Sequence, residues 1–244
     1  MFGPWIFETC KLTDPKFLDI KISAHSYLCR VFTIGYDVHF TWDFLHEFIS
    51  IAFQGIAYGD SGLRQTLIVG LQFIFCKKIQ PLNMLLPVFL AECQKSSQDK
   101  DYFKPDAKKA SLNIMYAAIP LGDVYGRCDL PNLENEFPPP RIDRSRAHRS
   151  GSLSLYVCKS YEEIPEIVFS NFVKCLEVEK DETVLSMAIW GLCVFSHQEF
   201  HNSGGPLRTI QVLKSIMPLT NSIEVCMNIK SFNDLDISSI QSFH

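Results

Sequence analysis

The sequence carries few recognisable chemical signatures. Its nine cysteines, Cys10, Cys29, Cys76, Cys93, Cys128, Cys158, Cys175, Cys193 and Cys226, are odd in number and widely spaced. No C-x-x-C occurs, which removes the zinc-knuckle and thioredoxin-like readings and points to a reducing compartment. The start, MFGPWIF, has neither a basic n-region nor the apolar stretch of a signal peptide, and Phe2 stands where myristoylation needs glycine. The longest apolar region, Phe48 to Cys76, is interrupted by Asp60 and Arg64, too soon for the roughly 20 residues of a membrane span. Walker A and G-x-G-x-x-G motifs are absent, and glycine and proline stand at ordinary levels.

What is present is apolar and aromatic. The 244 residues are 47% hydrophobic and include 19 phenylalanines, enough for one large core or two closely joined ones. The formal net charge of −4 offers no general attraction for nucleic acid, so any anion binding must be local.

Along the chain, residues 17–24 and 27–34 show partial alternation and read as two strands. Residues 41–57 read as a helix with Thr41 at the N-cap and an apolar face at three- and four-residue spacing, stopped by Gly59-Asp60-Ser61-Gly62. Leu63 to Lys78 fits a helix or a buried strand. Residues 96–109 read as a solvated loop, 111–119 as a strand, and 131–152 as a long proline- and arginine-containing surface loop. Further on, 152–159 alternates as a strand and Tyr161 opens a short helix ending near Cys175. Residues 182–196 read as a central apolar strand, 202–206 as a turn, 207–216 and 222–230 as two more strands, and 231–244 as a polar tail.

The expected fold class is therefore α+β. An antiparallel sheet packs against two or three helices, with a smaller C-terminal β/α unit. Residues 1–130 form the sheet-plus-helices part and 131–151 the Pro/Arg-rich loop, while 152–244 complete a single compact domain.

Three patterns imitate catalytic or metal sites. GDSG at 59–62 and SGGP at 203–206 are pieces of a serine-protease signature, split here between two distant turns. They read as ordinary turns. His197, Glu199 and His201 could share a metal, but Gln198 stands where a metalloprotease needs its glutamate, and the bland reading is a polar turn. No catalytic residue, metal ligand or cofactor is expected, and the chain reads as a non-enzyme.

Two surface features remain. Arg141, Arg144, Arg146 and Arg149 oppose only Asp143, four positive charges less one negative giving a local +3 next to Pro138-Pro139-Pro140. At about 1 kcal/mol per basic residue such a strip gives roughly 3–4 kcal/mol on an anionic membrane, useful only when many copies act together. Phe2, Trp5, Ile6 and Phe7 form an almost uncharged aromatic segment, which docks on its own domain, on a neighbouring subunit or partner, or at a membrane interface.

Taken in order, several short motifs resemble the matrix protein of rhabdoviruses, in the vesiculovirus-like branch. They are Arg127-Cys128-Asp129-Leu130-Pro131, the Pro138–Pro140 run, Gly151-Ser152-Leu153-Ser154-Leu155, Ile164-Pro165-Glu166-Ile167, Trp190-Gly191-Leu192-Cys193-Val194 and Ser203-Gly204. The correspondence spans about residues 20–216. The resemblance implies an α+β structural protein that self-assembles on the inner face of a virion envelope. There it would bridge nucleocapsid and anionic membrane during assembly and budding, with no sequence-specific nucleic acid. Host proteins are further partners, in the host cytoplasm and at its membranes. Since no lysine-rich arm or P-P-x-Y element is present, membrane attraction falls to the four arginines or the N-terminal aromatics. The competing reading is an intracellular adaptor or host antagonist, binding a protein partner through those aromatics or the Pro/Arg loop.

Overall fold

The structure, a computed structural model, describes residues 4–34, 40–77, 79–125, 128–129, 133–137, 160–203 and 210–211. Among them the chain is helical and contains no strand; Asp129 and Ser160 make one isolated antiparallel bridge. The expected α+β class is overturned.

The main helices are α1 (Trp5–Cys10), α2 (Leu18–Ile34), α3 (Trp42–Tyr58), α4 (Ser61–Gly70), α5 (Leu86–Gln98) and α6 (Pro105–Ala118). Two short helices follow, α7 (Leu121–Tyr125) and α8 (Leu133–Glu136), and then the long α9 (Ile164–Val178) and α10 (Glu182–Ser203).

The two expected strands at 17–24 and 27–34 are the single helix α2. Its buried residues Ala24, His25, Leu28, Cys29 and Phe32 recur at three to four residues, which is a helical stripe and not alternation. Pro15 sits at the start of the preceding 3-10 turn, where Asp14 accepts from the Lys16 backbone N–H at 2.9 Å. The segment 111–119 belongs to α6, and the polar stretch before it supplies the end of α5 and the start of α6. Lys108, expected in solvent, is buried there. Residues 182–196 are not a central strand but most of α10. Uniform apolarity hides the period, and only the length of the run favours a helix.

Helix expectations fared better. α3 begins one residue after Thr41, and α9 follows a 3-10 turn at Tyr161–Glu163. The GDSG tetrapeptide is half turn and half helix: Asp60 is the N-cap of α4 and its carboxylate accepts the Leu63 N–H at 3.0 Å. The strand at 152–159 and the segment 222–244 lie outside the described residues, as does the Pro/Arg-rich loop at 131–152 apart from 133–137, where Leu133–Glu136 is the helix α8 and not loop. Residues 207–216 lie outside them too, apart from Ile210 and Gln211, which are helical.

One connected core runs through the bundle. Helices α2 and α4 cross closely: a side chain on Gly70 would fall 2.6 Å from Cys29 Cβ. Helix α6 packs on α4, α5 and α10, and α9 is held between α5 and α10. Two ion-paired carboxylates sit inside this packing. Lys108 of α6 meets Glu179 just after α9, both side chains nearly buried. Glu92 of α5 receives Lys95 at 2.5 Å and the Tyr102 hydroxyl at 2.7 Å, with Arg64 at 3.5 Å. Buried charges of this kind are tolerated only when paired.

Candidate functional site

The N-terminal aromatics separate into core and surface. Ile6 and Phe7 are buried, together with Cys10, on one side of α1, while Trp5 is 64% exposed. Phe7 meets Phe44 edge-on at 4.9 Å. Behind that contact lies a stacked phenylalanine cluster, Phe32 against Phe48 at 3.6 Å and against Phe40 at 4.5 Å. Aromatic pairs of this kind add about 1 kcal/mol each beyond area burial. One turn on, Lys11 pairs with Glu47 at 2.5 Å. The two contacts run in the same chain direction on both helices, so α1 and α3 are parallel.

This arrangement places a second tryptophan. Phe44 follows Phe7 by 37 positions, and Trp42 follows Trp5 by the same 37. Each tryptophan is the first residue of its helix, and side chains tilt toward a helix N-terminus. Trp5 and Trp42 thus open two packed helices that run in the same direction, and Trp42 is 58% exposed. Glu8 and Asp43 stand beside them in the first turns of their helices. Phe2 lies outside the described residues, as do Arg141, Arg144, Arg146 and Arg149.

Trp42 was not among the residues the sequence singled out. By helical spacing it belongs with Leu45, Ile49 and Ala52, which are core. It stands in the first turn of its helix and is exposed all the same.

A second feature lies at the far end of the chain. Tyr116, Ile119, Pro120 and Val124 face Val194, His197, Gln198 and His201 across an open groove of about 500 Å³. Gln198 bridges it by donating to the Ile119 carbonyl at 3.3 Å. His197 and His201 lie on one face of α10 with rings 4.6 Å apart, edge to face. They stand on a helix, not on the polar turn expected. Among the described residues no group of three or more His, Cys, Asp or Glu is placed to hold a metal. No described helix is long and apolar enough to cross a membrane.

The described thiols are unpaired, and most are inert by burial. Desolvation pushes Cys10, Cys93 and Cys175 up to about 12. At neutral pH these are small hydrophobes and not nucleophiles.

No family model matches this chain, and no curated protein or solved structure matches it either.

Proposed function

We propose that the chain is a non-enzymatic interaction protein, an adaptor that captures a protein partner through the surface carrying Trp5 and Trp42. One observation supports this reading: two exposed tryptophans open two helices that are packed together through Phe7, Phe44 and the phenylalanine cluster. Tryptophan is the residue most enriched among the few that dominate binding energy at interfaces. Presentation on two packed helices also removes most of the ordering cost that a loose aromatic terminus would bring to binding.

The matrix reading predicted self-assembly on an anionic membrane. Its apolar strand, Trp190 to Val194, is part of α10, so it now stands on motif order and on the four arginines.

The test is proximity cross-linking of the full chain in cells, repeated with Trp5→Ala/Trp42→Ala. A defined set of protein cross-links that disappears in the double variant, with helix content unchanged, is the expected result. Identical cross-links in both proteins would exclude this surface. Flotation with anionic but not neutral vesicles, together with polymers that grow with concentration, would favour the assembly reading instead.

A further inference from the structure

Because residues 197–201 are helical and not a turn, His197 and His201 stand one above the other on the same face of α10. Both are exposed, and their ring centres are 4.6 Å apart. Among the described residues neither ring takes part in a hydrogen bond, so each has a nitrogen lone pair to offer. The spacing matches that of two imidazoles on one ion. A metal about 2.1 Å from an imidazole nitrogen lies about 3.2 Å from the ring centre. Two such rings meeting the ion at a right angle have centres about 4.5 Å apart, and at the tetrahedral angle about 5.2 Å. The observed 4.6 Å fits the right angle. Histidine χ2 is a broad torsion whose axis runs close to the ring centre, so turning either ring re-aims its nitrogens without altering that spacing.

We infer that His197 and His201 form a two-imidazole site for a divalent first-row transition ion of the Cu2+ and Ni2+ type, on the wall of the groove that Ile119 and Val124 face. Right angles between neighbouring nitrogen donors belong to the tetragonal coordination of these two ions. The imidazoles supply two adjacent positions, and water or a donor atom of a molecule in the groove takes the rest. Among the described residues no lysine or arginine lines the groove, and the stretch from Thr183 to Gln198 contains none, so no cation there opposes the charge of the ion. Two protein ligands are fewer than the three or four of a zinc centre. The helix compensates, because the second bond closes within one preorganised segment and strengthens binding about 10²-fold over a single imidazole. Gln198 stands where a metalloprotease carries its general base, and it is engaged with the Ile119 carbonyl. The site therefore binds an ion and does not hydrolyse. This inference does not depend on the N-terminal surface.

The experiment titrates the full-length, reduced protein with NiCl2 by isothermal calorimetry, since Ni2+ does not oxidise the free thiols as Cu2+ does. His197→Gln and His201→Gln each remove one ligand. Glu199→His/His201→Gln keeps the number of histidines but sets the pair two residues apart, on opposite sides of the helix. His46→Gln removes a histidine elsewhere, one that pairs with Glu136 at 3.4 Å. The expected result is one strong Ni2+ site per chain, weakened at least about tenfold in the three variants of the pair and unchanged in His46→Gln. Thermal unfolding followed by circular dichroism should rise with Ni2+ in wild type and His46→Gln only. Without Ni2+ the pair variants should unfold with wild type, which separates lost ligation from lost structure. Equal affinity in wild type and His201→Gln would overturn the inference. So would full affinity in the variant with the pair two residues apart, which would make the histidines independent, adventitious ligands. Loss of the site in His46→Gln would place the ion elsewhere and overturn it as well.

Discussion

Gly191 of α10 lies against the ring of Phe172 on α9. A methyl group built on Gly191 would stand 2.7 Å from Tyr116 Cε1 and closer still to the Phe172 ring. Three helices meet at this point, because the Tyr116 hydroxyl of α6 also donates to the Met187 carbonyl of α10. The missing side chain is what lets α10 approach.

Gly191→Ala therefore sets two effects against each other. Alanine gains up to about 1 kcal/mol of helix propensity over glycine. Overpacking costs about 1–3 kcal/mol, and Phe172 is fully buried and has little room to yield. The clash wins, with a net loss of about 1–2 kcal/mol. Urea unfolding should show a lower midpoint at unchanged slope. A midpoint equal to or above wild type would show that the three helices separate without cost.

His25 makes stability depend on pH. Burial lowers its pKa from the ordinary 6.5 to about 4, although its Nδ1–H donates to the Lys21 carbonyl at 2.8 Å. Lys21 and Asp60 are the charged groups that act on it, and they oppose each other. The unfolded chain takes up a proton near pH 6.5, while the folded chain refuses it until about 4. The stabilisation is thus complete above 6.5, declines as pH falls toward 4, and is level below that. At about 1.4 kcal/mol per pH unit the shift corresponds to a total of about 3.5 kcal/mol. His25→Gln should flatten the stability profile between pH 6.5 and 4.5. A slope that persists in the variant would assign it to another group.

Lys108 and Glu179 test whether buried charge holds α6 to the end of α9. Burial raises the Glu179 carboxyl, and hydrogen bonds from Lys108 and from the backbone N–H groups of Lys180 and Asp181 outweigh it, leaving it below its ordinary value. Lys108→Met strands the carboxylate and should cost about 3 kcal/mol. Adding Glu179→Gln should recover part of that loss, since the remaining polar group is neutral and keeps its backbone partners. A double variant as unstable as the sum of the two single ones would mean that the groups do not interact.

Asp60 is the acidic residue of the protease-like tetrapeptide, and its work is capping. Asp60→Ala should cost about 1 kcal/mol of stability, and Asp60→Asn a few tenths. Thermal unfolding of the two variants separates a hydrogen-bonded cap from a bare turn. Equal losses would point to charge at the helix end as the main contribution.

Helices α3 and α9 were legible because each pairs an apolar stripe with start signals, Thr41 and Asp43 in one, Glu163 and Pro165 in the other. Helix α2 was not. Its small and polar residues around Ala24-His25-Ser26 resemble a break between strands, yet His25 is a core residue whose hydrogen bond is internal to the helix. Helix α10 failed for the opposite reason, an apolar run too uniform to show any period.

The sequence by itself determined composition, the scarcity of catalytic and metal motifs, the starts of α3 and α9, and the aromatic character of the N-terminus. Tertiary structure decided which aromatics are surface. Ile6 and Phe7 are core and Trp5 is not, because only one side of α1 meets α2 and α3. Trp42 shares the spacing of core residues and is exposed at the first position of its helix. A repeat along one chain specifies a face, but whether that face is covered depends on where the neighbouring helices stop, and packing alone sets that limit.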